Sequence, residues 1–155
     1  MPTSAARVVG CIAPPPGLSW ARALATPAGQ ARAVLDFQIV AARALGVTFD
    51  RVRIHRKTAQ MRPEKAAAAP GSWHRDSYGS AFHVTGVLGE RPTQFLLGEI
   101  PEDFLDPTRD MTPLEGRLRL WEPEVGEVLR VDLYTIHRRP RIGDGPRVFL
   151  IGAAV

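Results

Sequence analysis

The sequence contains a single cysteine, Cys11, so the chain cannot form an internal disulfide. A protein without structural disulfides fits a reducing compartment. No apolar stretch approaches the roughly 20 residues of a membrane span. Near the N-terminus, Arg7 and the proline run 14–16 interrupt the segments that weakly resemble secretion signals. We therefore expect a cytoplasmic protein that has no membrane partner.

The parts of a protein kinase are also absent, although His74-Arg75-Asp76 has the letters of a kinase catalytic loop. That loop requires an asparagine five residues after the aspartate, and this chain has Ala81 there. No glycine-rich phosphate loop precedes the motif and no Asp-Phe-Gly follows it. Kinase chemistry is therefore excluded.

The composition is that of an ordinary folded domain. At 155 residues the chain can bury one core, and we expect a single domain over 1–155 with an N-terminal extension at 1–25. Fourteen glycines and fourteen prolines predict many turns between short elements, as in an all-β domain. The net charge of +4 permits an anionic ligand or partner without requiring one, and it supports a nucleic-acid partner only weakly, so we do not expect nucleic acid as a partner; the oligomeric state stays open.

One long helix is predicted near the N-terminus. Thr26 followed by Pro27 is typical of a helix start, and Gly46 is typical of a helix end. Within this segment four residues recur at helical spacing and predict one apolar face that packs on a sheet: Val34, Phe37, Ala41 and Ala44.

The rest of the chain is predicted to consist of short strands separated by turns. Single strands are expected at 7–13, 51–57 and 127–131. Two further pairs of apolar runs flank short turns, and each pair predicts a hairpin: 82–88 with 93–98, and the strand that carries His137 and runs toward Arg141 with 147–152. The expected fold is mainly β.

Two potential metal ligands lie two residues apart in the segment around His74 and Asp76. On an extended strand, residues i and i+2 point to the same side, so both side chains can reach one metal ion. His137, in a second extended segment, is the candidate third ligand. Two histidines and one carboxylate on one side of ferrous iron leave positions open for other ligands. A hydrogen-bonded His-Asp pair at a turn is the alternative.

These residues and their spacing resemble the Fe(II)- and 2-oxoglutarate-dependent dioxygenases, whose signature is His-x-Asp, a distal histidine and a basic residue about ten positions later. Here these are His74, Asp76, His137 and Arg147. The similarity spans about 26–155 and is strong at two places, the His74 motif and the C-terminal run from 123 to 150, and faint between them. It implies a double-stranded β-helix, which is an eight-stranded jelly roll of two facing sheets, with the long helix packed on one of them. The chain is short for this family, so a compact member is implied.

The resemblance also implies the cofactors and their ligands. His74, Asp76 and His137 would hold Fe(II), with 2-oxoglutarate and O2 at the open positions, and Arg147 would pair with the far carboxylate of 2-oxoglutarate. Since His137, Arg139 and Arg141 share a face by strand alternation, either of these two arginines could bind 2-oxoglutarate instead, or an anionic substrate. The presence of Asp76 favours hydroxylation over halogenation.

Four further residues are candidate substrate contacts, each with a simpler alternative. Trp73 and Tyr78 flank the metal motif, although aromatic residues beside a strand more often pack in a core. His83 is a reserve candidate. Arg62 begins the aperiodic segment 62–71, which is either a lid over the site or a simple connector.

Three functions are compatible with the sequence. The first is hydroxylation of a small molecule, which the basic residues near His137 allow to be anionic. The second is the same chemistry on a protein or nucleic-acid group. The third is a cupin-like metal-binding module without turnover of 2-oxoglutarate.

Overall fold

The computed structural model describes residues 2–57, 71–76, 81–89, 92–139 and 147–153, without the side chains of residues 56, 57, 147 and 153. Several sequence predictions therefore lie outside the described residues: Arg62 with the segment up to residue 70, Tyr78, Arg141, and the turn at 143–146.

Within these ranges the chain forms nine strands and two α-helices. The strands are β1 (Thr3–Ser4), β2 (Ala6–Cys11), β3 (Arg53–Lys57), β4 (Phe82–Val87), β5 (Gln94–Glu99), β6 (Arg119–Trp121), β7 (Glu127–Asp132), β8 (Ile136–Arg138) and β9 (Arg147–Ala153). The helices are α1 (Trp20–Ala23) and α2 (Pro27–Leu45), with single 3₁₀ turns at Glu102–Phe104 and Thr112–Gly116. The prediction of a mainly β protein with one long helix is confirmed.

The strands form two antiparallel sheets, an arrangement compatible with a β-sandwich. The larger sheet has the order β2-β7-β4-β9-β3. In the smaller sheet β5 is central, with β6 along one edge and both β1 and β8 along the other. A single bridge between His74 and His137 adds the metal-motif segment to the free edge of β8. The smaller sheet therefore carries both candidate histidines.

Helix α2 begins and ends at the predicted residues. The side chain of Thr26 accepts a hydrogen bond from the Gly29 amide at 3.1 Å, which satisfies one of the free N–H groups of the first turn. Gly46 adopts the left-handed conformation with φ of 64°, a geometry in which glycine avoids the strain of a Cβ atom. No helix in the described ranges is both long and apolar enough to cross a membrane.

The buried face of α2 packs on the larger sheet. Phe37 and Ala41 are completely buried, as predicted, whereas Ala44 is exposed. The Phe37 ring stacks on that of Phe49, with centroids 5.7 Å apart. An added Cβ atom at Gly86 of β4 would lie 3.1 Å from the Phe37 ring, so glycine at this position lets the aromatic ring lie close to the strand.

Strands β4 and β9 divide the core of the protein from a cavity. Val84 and Leu150 point towards α2 and are fully buried in the main core cluster. The alternate residues Thr85 and Ile151 point to the opposite face and line the cavity. This period-two pattern is the direct result of strand geometry.

A second core cluster supports the smaller sheet on the side away from the cavity. Ile136 of β8 and Leu96 of β5 are completely buried in it, so the strand that carries His137 is fixed by packing on its other face. Its other buried members are Trp73, Ile100, Phe104, Met111 and Leu114.

Both predicted hairpins are wrong. β4 pairs with β7 and β9 in the larger sheet, whereas β5 belongs to the smaller one. Likewise β8 pairs with β5, and β9 pairs with β3 and β4. An apolar pattern indicates that a segment is extended and which side is buried, but it does not identify the partner strand. The two strands of each expected hairpin thus lie in different sheets.

Candidate functional site

The backbones of His74 and His137 hold the two imidazoles side by side. Each residue donates its N–H to the carbonyl oxygen of the other, and both N···O distances are 3.0 Å. Residues that exchange both hydrogen bonds across an antiparallel pair project their side chains to the same face. The ring centroids are accordingly 4.5 Å apart.

Backbone carbonyls also determine which nitrogen of each ring carries a proton. Nδ1 of His74 lies 2.9 Å from the carbonyl oxygen of Ser72, and Nδ1 of His137 lies 3.0 Å from that of Thr135. A carbonyl oxygen can only accept, so each Nδ1 is the donor. In the neutral rings Nε2 is then left with its lone pair, which is the form that binds a metal ion.

The carboxylate of Asp76 meets both Nε2 atoms. Its two oxygens lie 3.5 Å from Nε2 of His74 and 2.7 Å from Nε2 of His137. One ligand atom from each of the three residues can be chosen so that all lie within 4.8 Å of one another. Neighbouring ligands about 2.1 Å from a metal are about 3 Å apart, so these residues fit a shared divalent ion. A hydrogen-bonded His-Asp-His cluster is the alternative use of the same contacts.

The pKa values of His74 and His83, two histidines of the cavity, are shifted in opposite directions. The hydrogen bond with Asp76 raises the pKa of His74, and burial opposes this effect without reversing it. Burial, with a smaller contribution from the neighbouring His137, lowers the pKa of His83 to about 4, although the negative charge of Asp76 opposes this shift. His83 is therefore neutral at pH 7 and can act as a hydrogen-bonding group without adding charge.

The triad opens into a cavity of about 320 Å³, a size suited to a small molecule. The side chain of His74 is 47% exposed, so the triad end of the cavity is reached by solvent. Strands from both sheets contribute to the lining: His55, His74, Asp76, His83, Thr85, Thr93, Phe95, Val131, His137, Arg139, Phe149 and Ile151.

Arg139 is the arginine that the described part of the structure brings into the cavity. It follows His137 by two residues and faces the same side, as strand alternation predicts. Its Nη1 atom is buried and has no hydrogen-bond partner in the described ranges. The backbone amide of Gly71 donates to the Arg139 carbonyl at 2.9 Å, and a Cβ atom at Gly71 would contact the arginine stem at 3.4 Å.

The other two arginines predicted to bind an anion are not described at side-chain level. Arg147 is the first residue of β9, where it pairs with Lys57 and precedes the cavity residue Phe149 by two positions. Arg141 lies outside the described residues. Their assignment therefore stays a prediction.

Trp73 does not line the cavity and instead packs in the core. It is 4% exposed, and its indole Nε1 lies 3.4 Å from a carboxylate oxygen of Glu115. The guanidinium of Arg138 covers its ring at 4.2 Å. Arg75 also points away from the triad, since it donates to the carbonyl of Leu105. Residues adjacent to His74 and His137 thus face the second core cluster, as alternation requires.

Sequence reasoning missed His55 as part of the cavity wall. Its ring stacks on Phe149, with centroids 4.8 Å apart and an interplanar angle of 4°. The pairing of β3 with β9 places the two residues opposite one another. The sequence showed that His55 lies in a strand of alternating basic and apolar residues. This pattern indicates which side of the sheet His55 is on, but it does not show that this side borders a cavity.

Neither a protein-family model nor a curated protein matches this chain. The site must therefore be interpreted from its own residues. The relevant facts are the two Nε2 atoms and the carboxylate that converge at one end of the cavity.

Proposed function

We propose that the protein is a non-haem Fe(II)- and 2-oxoglutarate-dependent oxygenase that hydroxylates a small molecule. The observation that carries this proposal is the convergence of His74, Asp76 and His137 at a cavity of about 320 Å³. Carbonyl groups already occupy both Nδ1 atoms, so both Nε2 atoms are available on the same side as the carboxylate. This arrangement favours a metal centre over a simple ion pair.

The number and type of ligands support iron over structural zinc. Structural zinc sites are usually closed by four protein ligands, most often cysteine and histidine. In the described ranges the cluster contains two histidines and one carboxylate. This set occupies one side of the ion and leaves positions open, which is characteristic of ferrous oxygenases.

The strand order supports a double-stranded β-helix. In the larger sheet four strands follow the order β3-β9-β4-β7, and in the smaller sheet the order is His74 segment-β8-β5-β6. Along the chain, successive segments mostly alternate between the two sheets, as in a jelly roll. In this topology the two histidines come from neighbouring segments of one sheet and the cavity lies between the sheets.

Each part of the cavity has a distinct proposed role. When bound, Fe(II), 2-oxoglutarate and O2 supply the oxidising chemistry and yield succinate and CO2 with the hydroxylated product. His74, Asp76 and His137 hold and orient the metal. Phe95 and Phe149 restrict water. Arg147 pairs with the far carboxylate of 2-oxoglutarate, because it begins the strand whose alternate residues line the cavity.

The test is metal-dependent binding and turnover of 2-oxoglutarate. We expect the Mn(II)-loaded protein to bind 2-oxoglutarate and the metal-free protein not to bind it, as measured by calorimetry. With Fe(II) and air, succinate should form, as measured by mass spectrometry. Both activities should be lost in His74→Ala and His137→Ala.

His55→Ala is the matched control, because it removes an imidazole from the same cavity without removing a ligand of the triad. This variant should retain metal binding. If the wild-type protein binds Mn(II) through the triad but neither binds nor consumes 2-oxoglutarate, the protein is a metal-binding module of the cupin type and the oxygenase proposal fails.

A further inference from the structure

We propose that Arg139 binds a carboxylate group of the substrate, so that the enzyme acts on a small carboxylic acid. This inference rests on the proposed oxygenase function and adds the class of substrate to it. Its basis is the position of an arginine side chain with a buried, unpartnered nitrogen in the same cavity as the metal ligands.

The side chain of Arg139 is positioned as a binding group. It shares the cavity face with His137, and its stem lies against the backbone of Gly71. Its Nη1 atom is buried without a hydrogen-bond partner among the described residues. A buried N–H group without an acceptor costs free energy, and this cost is larger for a charged group. A ligand that supplies an acceptor removes the cost.

Nothing in the described wall of the cavity neutralises this guanidinium. Among the lining residues the carboxylate is that of Asp76, and both of its oxygens face histidine nitrogens. The nearby arginine Arg138 points to the other side of β8, where it pairs with Glu115 at 3.6 Å and contacts Gln94 at 2.6 Å. Arg138 therefore has an acidic partner in the protein and Arg139 has none in the described ranges.

A charge balance indicates that the neutralising anion is the substrate. The two positive charges of Fe(II) are reduced to one by Asp76, and doubly negative 2-oxoglutarate changes the sum to one negative charge. Arg147, as the proposed partner of 2-oxoglutarate, then makes the sum zero. Among the described lining residues, Arg139 then adds one positive charge that remains when both cofactors are bound. A substrate with one carboxylate supplies one negative charge and makes the sum zero again. The planar guanidinium of arginine also suits the geometry of a carboxylate.

The distance to the metal ligands limits the size of such a substrate. Residues i and i+2 of a strand have Cα atoms about 7 Å apart, so Arg139 and His137 flank a short space. The carboxylate and the carbon that is hydroxylated therefore belong to one small molecule, with the acid a few bonds from the reacting carbon.

The experiment measures binding of acetate, a small monocarboxylate, to the protein when its cofactor positions are filled. Mn(II)-loaded protein saturated with 2-oxoglutarate is titrated with acetate and, separately, with the neutral isostere acetamide, at constant chloride concentration. The rise in thermal midpoint reports binding. Arg139→Gln removes the charge, Arg139→Lys keeps it, and Arg138→Gln removes a neighbouring charge on the opposite face of β8.

We expect acetate, but not acetamide, to raise the midpoint of the wild-type protein. Loss of a charge-assisted hydrogen bond typically weakens binding by roughly 10- to 100-fold, and we expect this loss for acetate in Arg139→Gln. Arg139→Lys should retain part of the affinity, and Arg138→Gln should match the wild type. Each variant should keep its affinity for 2-oxoglutarate within about threefold.

Three results would overturn the inference. If acetate has no effect on the wild type up to about 100 mM, or the same effect on Arg139→Gln, then Arg139 is not an anion site. If Arg139→Gln instead loses 2-oxoglutarate, Arg139 binds the co-substrate and the oxygenase function stands without the substrate class. If the wild type shows no metal-dependent binding of 2-oxoglutarate, the proposed function itself has failed.

Discussion

His74 and His137, which are 63 positions apart in sequence, are joined by two reciprocal backbone hydrogen bonds of 3.0 Å. The pairing of the two residues, and hence the common side to which their side chains project, is therefore set by the peptide backbone. The carbonyl groups of Ser72 and Thr135 fix the ring orientations in the same way. A site held by main-chain atoms is arranged for its ligand before the ligand binds, which lowers the cost of binding.

Replacing Asp76 with asparagine should weaken Mn(II) binding by at least about tenfold, because the amide keeps the shape of the ligand but loses its negative charge. Isothermal titration of the purified variant measures this affinity. Asp132→Asn is the control, since Asp132 pairs with Arg130 at 2.9 Å and is not a member of the metal cluster. Equal affinities in wild type and Asp76→Asn would exclude Asp76 as a ligand.

Mn(II) affinity should fall as the pH decreases towards and below the raised pKa of His74. A metal ion must displace the proton on Nε2, and the hydrogen bond to Asp76 makes that proton harder to remove. The decline should therefore begin at a higher pH than the ordinary histidine value of 6.5 implies. Titrations at a series of pH values provide the check, and an affinity that does not change between pH 8 and 6 would contradict it.

His83 should destabilise the folded protein as the pH falls from 6.5 to about 4. In this window the unfolded chain binds a proton at His83 and the folded protein does not, so the free energy of unfolding falls with decreasing pH. The slope contributed by one such proton is on the order of 1.4 kcal/mol per pH unit. His74 has the opposite sign, since its raised pKa stabilises the fold below 6.5 and the effect is lost as the pH rises through the folded value.

Urea unfolding of wild type and His83→Gln across this range separates the His83 contribution. The variant should lose less stability than the wild type between pH 6.5 and 4, whatever its stability at pH 7. Parallel slopes for the two proteins would show that His83 titrates normally in the folded state.

Ser4→Ala should reduce the free energy of unfolding by about 1–3 kcal/mol, because it leaves buried polar groups without a partner. The Ser4 hydroxyl is 1% exposed, donates to the carbonyl of Leu96 and accepts from the amide of Ile136 at 2.8 Å. It thus joins β1, β5 and β8 next to His137. Chemical denaturation measures the loss. Thr3→Ala, at an exposed neighbouring position, should change stability by less than about 0.5 kcal/mol.

The parts of the fold that could be predicted are those determined by neighbouring residues. The ends of α2 follow from Thr26 and Gly46, which act on backbone groups within one turn. The shared side of His74 and Asp76, and of His137 and Arg139, follows from the two-residue period of an extended chain.

Strand pairing could not be predicted, because it depends on residues distant in the sequence. The two expected hairpins failed when their strands separated into different sheets. His55 became a cavity residue only through the pairing of β3 with β9. The meeting of His137 with His74 was expected from a family resemblance, and no local pattern around either residue predicts that bridge.

The two-sided character of β4 and β9 has a practical consequence for redesign. Val84 and Gly86 of β4, and Leu150 and Gly152 of β9, face the packed interior. Thr85 and Ile151 line the cavity on the opposite side. Random libraries that vary these latter two positions would change the shape and polarity of the cavity while leaving the contacts with Phe37 and Phe49 intact. The packed interior and the cavity wall are thus formed by alternate residues of the same two strands.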